Sequence, residues 1–153
     1  MMVLFNKRFF PTAAVLFLLT GCAEEPAPKA QEQSDDKVVV EQYVDIKMDF
    51  ELLHVIQNDA TVEQVQELVD GIEWEQAEVS MAEFPYGRFH FGKAGSAEAP
   101  SPTYSFWISP FKDKVELVVN GESKYAQLTS EESNALFQAL TGSPLASVKE
   151  TRP

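Results

Sequence analysis

The chain is poor in the residues that usually carry chemistry. It has a single cysteine, Cys22, and two histidines, His54 and His90, among 153 residues. One thiol can form neither an intrachain disulfide nor a thiolate metal cluster. The histidines stand 36 residues apart in unlike settings, His54 in the apolar run Leu53-His54-Val55-Ile56 and His90 between Phe89 and Phe91. HExxH, HxH and acidic EF-hand patterns are missing, so the sequence gives a metal site no support. GxSxG, a local signature of an activated serine, is missing as well. The seven glycines are scattered at turns and make no phosphate-cradling loop. The residues therefore point to no catalytic group, no metal and no cofactor.

Bases are scarce too. Lys and Arg number 12 against 24 Asp and Glu, a formal net charge of −12. Nucleic-acid binding needs clustered cations against phosphate, so that class is excluded. Long apolar runs are also lacking. The longest, Phe9 to Leu19, is about half of the roughly 20 residues needed to cross a bilayer.

That short run has the right neighbours for an export signal. Lys7 and Arg8 precede it, no acid occurs in the first 21 residues, and Thr20-Gly21-Cys22 follow it. A basic segment, an apolar segment of this length and small residues before a cut define a secretory signal peptide. Leu19-Thr20-Gly21-Cys22 resembles the lipobox of bacterial lipoproteins. The resemblance implies cleavage after Gly21 and a diacylglyceryl thioether on Cys22, with a further acyl group on its amine in some hosts. Two or three such chains anchor stably, at about 0.8 kcal/mol per buried CH₂. The expected location is the cell envelope, on the outer face of the cytoplasmic membrane. Ala23 after the cysteine would equally allow outer-membrane sorting in a Gram-negative host.

Residues 22–37 read as an acidic tether. Ala23 to Lys37 holds five acids, two Pro and no large apolar side chain, too little to bury a core. Residues 38–153 read as one domain, with 8 bases against 19 acids. Its acid excess suits a solvated surface or a docking face for a basic partner.

Within the domain, Val44, Ile46, Met48, Phe50 and Leu52 alternate with charged residues, which predicts a strand. A short helix from about Asp49 is the alternative, because Leu53–Ile56 break the alternation. Thr61 and Gln64 have capping-box spacing before a helix whose Val62, Val65, Leu68 and Val69 share a face, closed by Asp70-Gly71. Ala77, Val79 and Met81 predict a strand, as do Phe89 and Phe91 and then Tyr104, Phe106 and Ile108. Residues 92–102 predict an exposed loop. Asn120-Gly121 predicts a hairpin, of a two-residue or three-residue loop that would put Tyr125 on opposite faces. Thr129 and Glu132 cap a last helix with Leu136, Phe137 and Leu140 on its apolar stripe, ended by Gly142 and Pro144, and the tail from Leu145 is expected to fray. The fold class is therefore α+β: an antiparallel sheet of about five strands with an N-terminal and a C-terminal helix on one face.

Seven aromatic residues fall between Tyr86 and Phe111. Trp107 alternates with Phe106, so it faces away from Phe106 in a regular strand. Tyr104 and Trp107 are accordingly the candidate binding residues. The stretches Trp74-Glu75, Val79-Ser80-Met81, Pro85-Tyr86, Phe89-His90-Phe91, Trp107-Ile108-Ser109-Pro110 and Lys124-Tyr125-Ala126-Gln127-Leu128 resemble small lipoproteins of Gram-positive bacteria. Ser133 and Leu136-Phe137 extend the likeness, which spans about residues 74–142. It implies an anchored domain and assigns no catalytic residue. The expected function is a lipid-anchored, non-enzymatic binding or accessory domain for a protein, peptide or wall-polymer partner. The alternatives are a hydrolase using His54 or His90 with nearby carboxylates, or an inhibitor of a secreted enzyme.

Overall fold

The computed structural model describes residues 36–93 and 102–149. The expected signal peptide, the lipobox with Cys22, the tether through residue 35 and most of the expected 92–102 loop lie outside the described residues. Strands β1 (Asp36–Val44) and β2 (Asp49–Ile56) form a hairpin, followed by helix α1 (Asp59–Asp70) and a two-residue strand β3 (Glu75–Gln76). Strands β4 (Gly87–Lys93), β5 (Tyr104–Ile108), β6 (Val115–Val119) and β7 (Lys124–Gln127) make a meander. Helix α2 (Ser130–Thr141) and a 3₁₀ turn (Leu145–Ser147) complete the chain. The strands lie in the order β2-β1-β4-β5-β6-β7-β3, with every neighbouring pair antiparallel.

The class is α+β, and the sheet has seven strands where about five were expected. The expected strand through Ile46 and Met48 is two strands and a turn. Ile46 is 96% exposed, and Met48 adopts φ 51°, which no strand residue does. Residues from Asp49 are strand and not helix, since all but Leu53 pair across to β1, with a bulge beside Val40 and Glu41. The expected strand over Ala77–Met81 does not form, and a two-residue strand, Glu75–Gln76, lies just before it. Antiparallel pairing brings Gln76 to Lys124, and the next partner, Ser123, already belongs to the β6–β7 loop. The sheet offers nothing further to pair with.

Alternation puts one set of side chains under the helices. Val38, Val40, Phe89, Phe106, Val115 and Leu117 meet Val62, Val65 and Val69 of α1 and Leu136, Phe137 and Leu140 of α2 in one core. Gly87 belongs to that layer because nothing larger fits: a Cβ there would sit 2.6 Å from the Glu41 carbonyl oxygen and 2.9 Å from the Phe106 ring. Ser133 is fully buried and satisfied, its Oγ accepting the Val115 backbone N–H at 2.8 Å. One hydrogen bond thus ties α2 to β6.

Helix starts follow side-chain chemistry. The N-cap of α1 is Asn58, whose Oδ1 accepts the Thr61 N–H, and not Thr61, as its spacing with Gln64 had suggested. Thr129 and Glu132 do form the expected capping box on α2, and Gly142 ends it at φ 73°. The residues after α2 are not frayed. Leu145 is buried in the core, and its N–H donates to Asn134 Oδ1 at 3.2 Å. The Asn120-Gly121 hairpin has a four-residue loop, because Val119 pairs with Lys124. Asn120 is held by β5 and the residue before it instead of by a tight turn, donating its N–H to the Thr103 carbonyl and accepting from Ser105 Oγ. Tyr125 lies opposite Val118, on the face away from the helices.

Candidate functional site

At the end of the sheet reached by the C-terminus of β1, four separate segments enclose a cleft of about 580 Å³. The first wall is Tyr43 to Ile46, running into the β1–β2 turn. The Val44 and Asp45 carbonyls accept from Lys47 and Met48 N–H groups, which closes that turn tightly. The second wall is Glu83 to Tyr86, just before β4. It is held from both sides, since Tyr43 N–H donates to the Tyr86 carbonyl and Tyr86 N–H to the Phe106 carbonyl. The third wall is Trp107 to Pro110 with Lys112, and the fourth is Val148 with Lys149.

Aromatic rings dominate the rim. Phe84 stacks on Tyr43 with centroids 4.6 Å apart and planes 13° apart, and Phe50 meets Tyr43 edge-on at 5.4 Å. Arg88 lies 4.1 Å above the Phe50 ring and forks onto Glu41, with Nε at 2.6 Å and an Nη at 3.1 Å from the two carboxylate oxygens. The guanidinium is thus fixed by a planar match and a ring face together, and its hydrogen bonds to Glu41 make Arg88 hold its proton more firmly than usual. Trp107 closes the row by donating its indole N–H to the Glu83 carbonyl at 2.9 Å.

The third wall is rigid for a different reason. Ser109 Oγ donates to Asp113 Oδ1 at 2.7 Å and accepts the Asp113 and Lys114 N–H groups, while Ser109 N–H donates to the Lys114 carbonyl. Among the described residues, two non-glycine residues have positive φ, Met48 at 51° and Lys112 at 58°. Both occur in turns at the cleft. A left-handed non-glycine residue costs about 1–3 kcal/mol, which the surrounding hydrogen bonds offset.

Charges in the walls are balanced, Asp45 and Glu83 against Lys112 and Lys149, although the domain is acidic. Burial raises the Tyr86 phenol above its ordinary range, so it stays neutral at physiological pH. The lining suits an apolar segment with a few polar groups, which is the usual composition of a binding pocket of this size.

Trp107, expected as a binding residue, is in this cleft. Tyr104 is not. It faces the helices, stacked on Phe89 at 5.0 Å and near Trp74 at 6.0 Å. His54 and His90 both pair with β1, opposite Val40 and Val39 respectively. Successive residues of a strand face opposite ways, so the two imidazoles are on opposite faces of the sheet and share no site. Neither lines the cleft. Burial holds His90 below the ordinary histidine range, opposed by Glu41 and aided by Arg88 and Lys37. No three metal-ligating side chains cluster among the described residues, and no helix there is long and apolar enough to cross a membrane.

Tyr43, Ile46, Phe84 and Lys112 were not singled out by the sequence. A signal for two of them did exist: Ile46 and Phe84 are large apolar residues flanked by charge or proline, in Asp45-Ile46-Lys47 and Glu83-Phe84-Pro85. Comparisons with protein-family models, curated proteins and solved structures found no match.

Proposed function

We propose that the chain is a lipid-anchored extracytoplasmic lipoprotein whose folded domain binds a partner through the aromatic cleft. The anchor is the lipid-modified Cys22, and the domain works as an accessory or recognition module, not as an enzyme. The observation that carries this reading is the cleft itself: about 580 Å³, rimmed by stacked rings and built on turns that keep Met48 and Lys112 in a strained backbone conformation. Strain of that kind persists where a shape is needed, and its clustering at one end of the sheet supports a site there. The partner it suits is a protein, peptide or wall-polymer segment that lays an apolar stretch across Tyr43, Phe84 and Trp107. A tether of acidic coil would let the domain search on the order of 20 Å from the membrane.

The test compares full-length variants in the native envelope. Phe84→Ser removes an exposed ring at little cost to folding and should abolish capture of the component that wild type retains. His54→Gln with His90→Gln should leave capture intact. Loss of function in the double histidine variant with capture unaffected by Phe84→Ser would favour a hydrolase and sink the binding reading.

A further inference from the structure

We propose that the edge of β2, which pairs with no other strand among the described residues, pairs with the β2 edge of a second copy of this chain, making a twofold dimer through one continuous antiparallel sheet. The two edges of the sheet differ sharply. The β3 edge is two residues long, Glu75 and Gln76, and both are exposed and hydrophilic. An edge so short offers little to another strand. The β2 edge runs for eight residues and exposes Leu52, Leu53 and Val55 along it. A strand of that length leaves a row of backbone donors and acceptors that only another extended backbone can satisfy.

The sequence of β2 is complementary to itself. Aligned antiparallel about the Leu52–Leu53 bond, Phe50 falls opposite Val55 of the second copy, Glu51 opposite His54, and Leu52 opposite Leu53. Register to β1 sets the faces. Phe50 and Leu52 pair with Tyr43 and Glu41, and Val55 with Val39, so these three share the open face, while His54 pairs with core-facing Val40. Apolar side chains thus meet apolar ones on the open face, and a carboxylate meets an imidazole on the other. Cross-strand neighbours of these types are the stabilising unit of a sheet.

The bulge selects the occupant. Leu53 is the extra residue where the register to β1 slips, opposite Val40 and Glu41. A bulged edge twists away from a regular strand and discourages unrelated ones. In the twofold register the two bulges lie side by side with the same local twist, so a second copy fits where a generic strand does not. The interface is small for a stable dimer, and each domain is acidic, so association is weak and strengthens as salt screens repulsion.

Disulfide trapping of the full chain in its own membrane reads this register. Phe50→Cys and Val55→Cys proteins are made separately and together, then oxidised. Mixed proteins should give a covalent dimer, because positions 50 and 55 are opposite. Either variant alone should not, since its own cysteines would lie about 17 Å apart at the strand rise, far beyond disulfide reach. Wild type with Cys22 alone sets the background. Unmodified protein in mild detergent should also show a mass by light scattering that rises with concentration toward twice the monomer's, more so at high salt. Dimer in the single-variant lanes equal to the mixed lane, cross-links to other proteins in its place, or a monomer mass at every concentration would each overturn the pairing.

Discussion

Trp107 donates its indole N–H to the backbone carbonyl of Glu83, 2.9 Å away and 24 residues earlier in the chain. The wall that follows Glu83, through Phe84, Pro85 and Tyr86, is thus held by this bond at one end and by the two backbone bonds of Tyr86 at the other. Trp107→Phe keeps a ring and removes the donor. It should lower stability by about 1 kcal/mol, the usual net worth of one hydrogen bond, and leave the core helices intact. Trp107→Ala should also stay folded, since the residue lies on the face away from the helices and is only half-buried. Urea unfolding followed by circular dichroism checks both. A Trp107→Ala chain unfolded in buffer would make this residue part of the core.

Stability should divide cleanly between the two faces of the sheet. Phe137 is 2% exposed between α2 and the sheet, and Phe111 is 89% exposed at a loop tip. Phe137→Ala should cost about 3–5 kcal/mol, which is a large part of the roughly 5–15 kcal/mol available to a domain of this size. Phe111→Ala should fall within about 0.5 kcal/mol of wild type. The difference in urea midpoint between the two variants is the measurement.

Acid sensitivity should trace in part to His90. Its proton is held less firmly in the folded state than in the unfolded chain, chiefly because of burial. The unfolded state therefore binds more protons as pH falls below the ordinary histidine value of 6.5. Stability from a neutral His90 is complete above that value and is lost as pH falls toward the lower folded value. His90→Gln removes this loss, so the variant should gain on wild type between about pH 7.5 and 5.5, where histidine titrates. Thermal midpoints of both proteins across that range test it. Parallel curves would contradict it, since the two proteins differ only at residue 90.

The anchor has its own test. Cys22→Ser should abolish incorporation of a fatty-acid analogue and leave the precursor uncut, because the hydroxyl cannot take the thioether-linked lipid. Label retained in the serine protein would rule out Cys22 as the acceptor.

What could be read beforehand divides along a physical line. Helix α2 was legible because its signals are local: Thr129 and Glu132 three residues apart, Gly142 just past the end, Pro144 after it. The core strands β4, β5 and β6 were legible because one face is buried, so alternation is strict. The β1–β2 turn was not, because Ile46 and Met48 continue the apolar rhythm of a strand while standing in solvent. The strand expected over Ala77–Met81 was misplaced, because the position and length of β3 are set by β7, a partner some 50 residues away in the chain. The burial of Leu145 depends on Asn134 reaching across to its N–H, and no sequence pattern marks that. The cleft was hidden most deeply, since four segments from Tyr43 to Lys149 meet only in the fold. Of its residues the sequence singled out Trp107, through its alternation with Phe106.

A partner in the aromatic cleft should be within reach of a probe on its rim. A photo-cross-linking residue at Ile46, on the exposed cleft rim, and one at Glu63, on the exposed side of α1, sample the two regions in the native envelope. Irradiation should give one discrete adduct from position 46, lost when Phe84→Ser is added, and none from position 63. Equal adducts from both positions, or an adduct from 46 that survives Phe84→Ser, would contradict binding in the cleft.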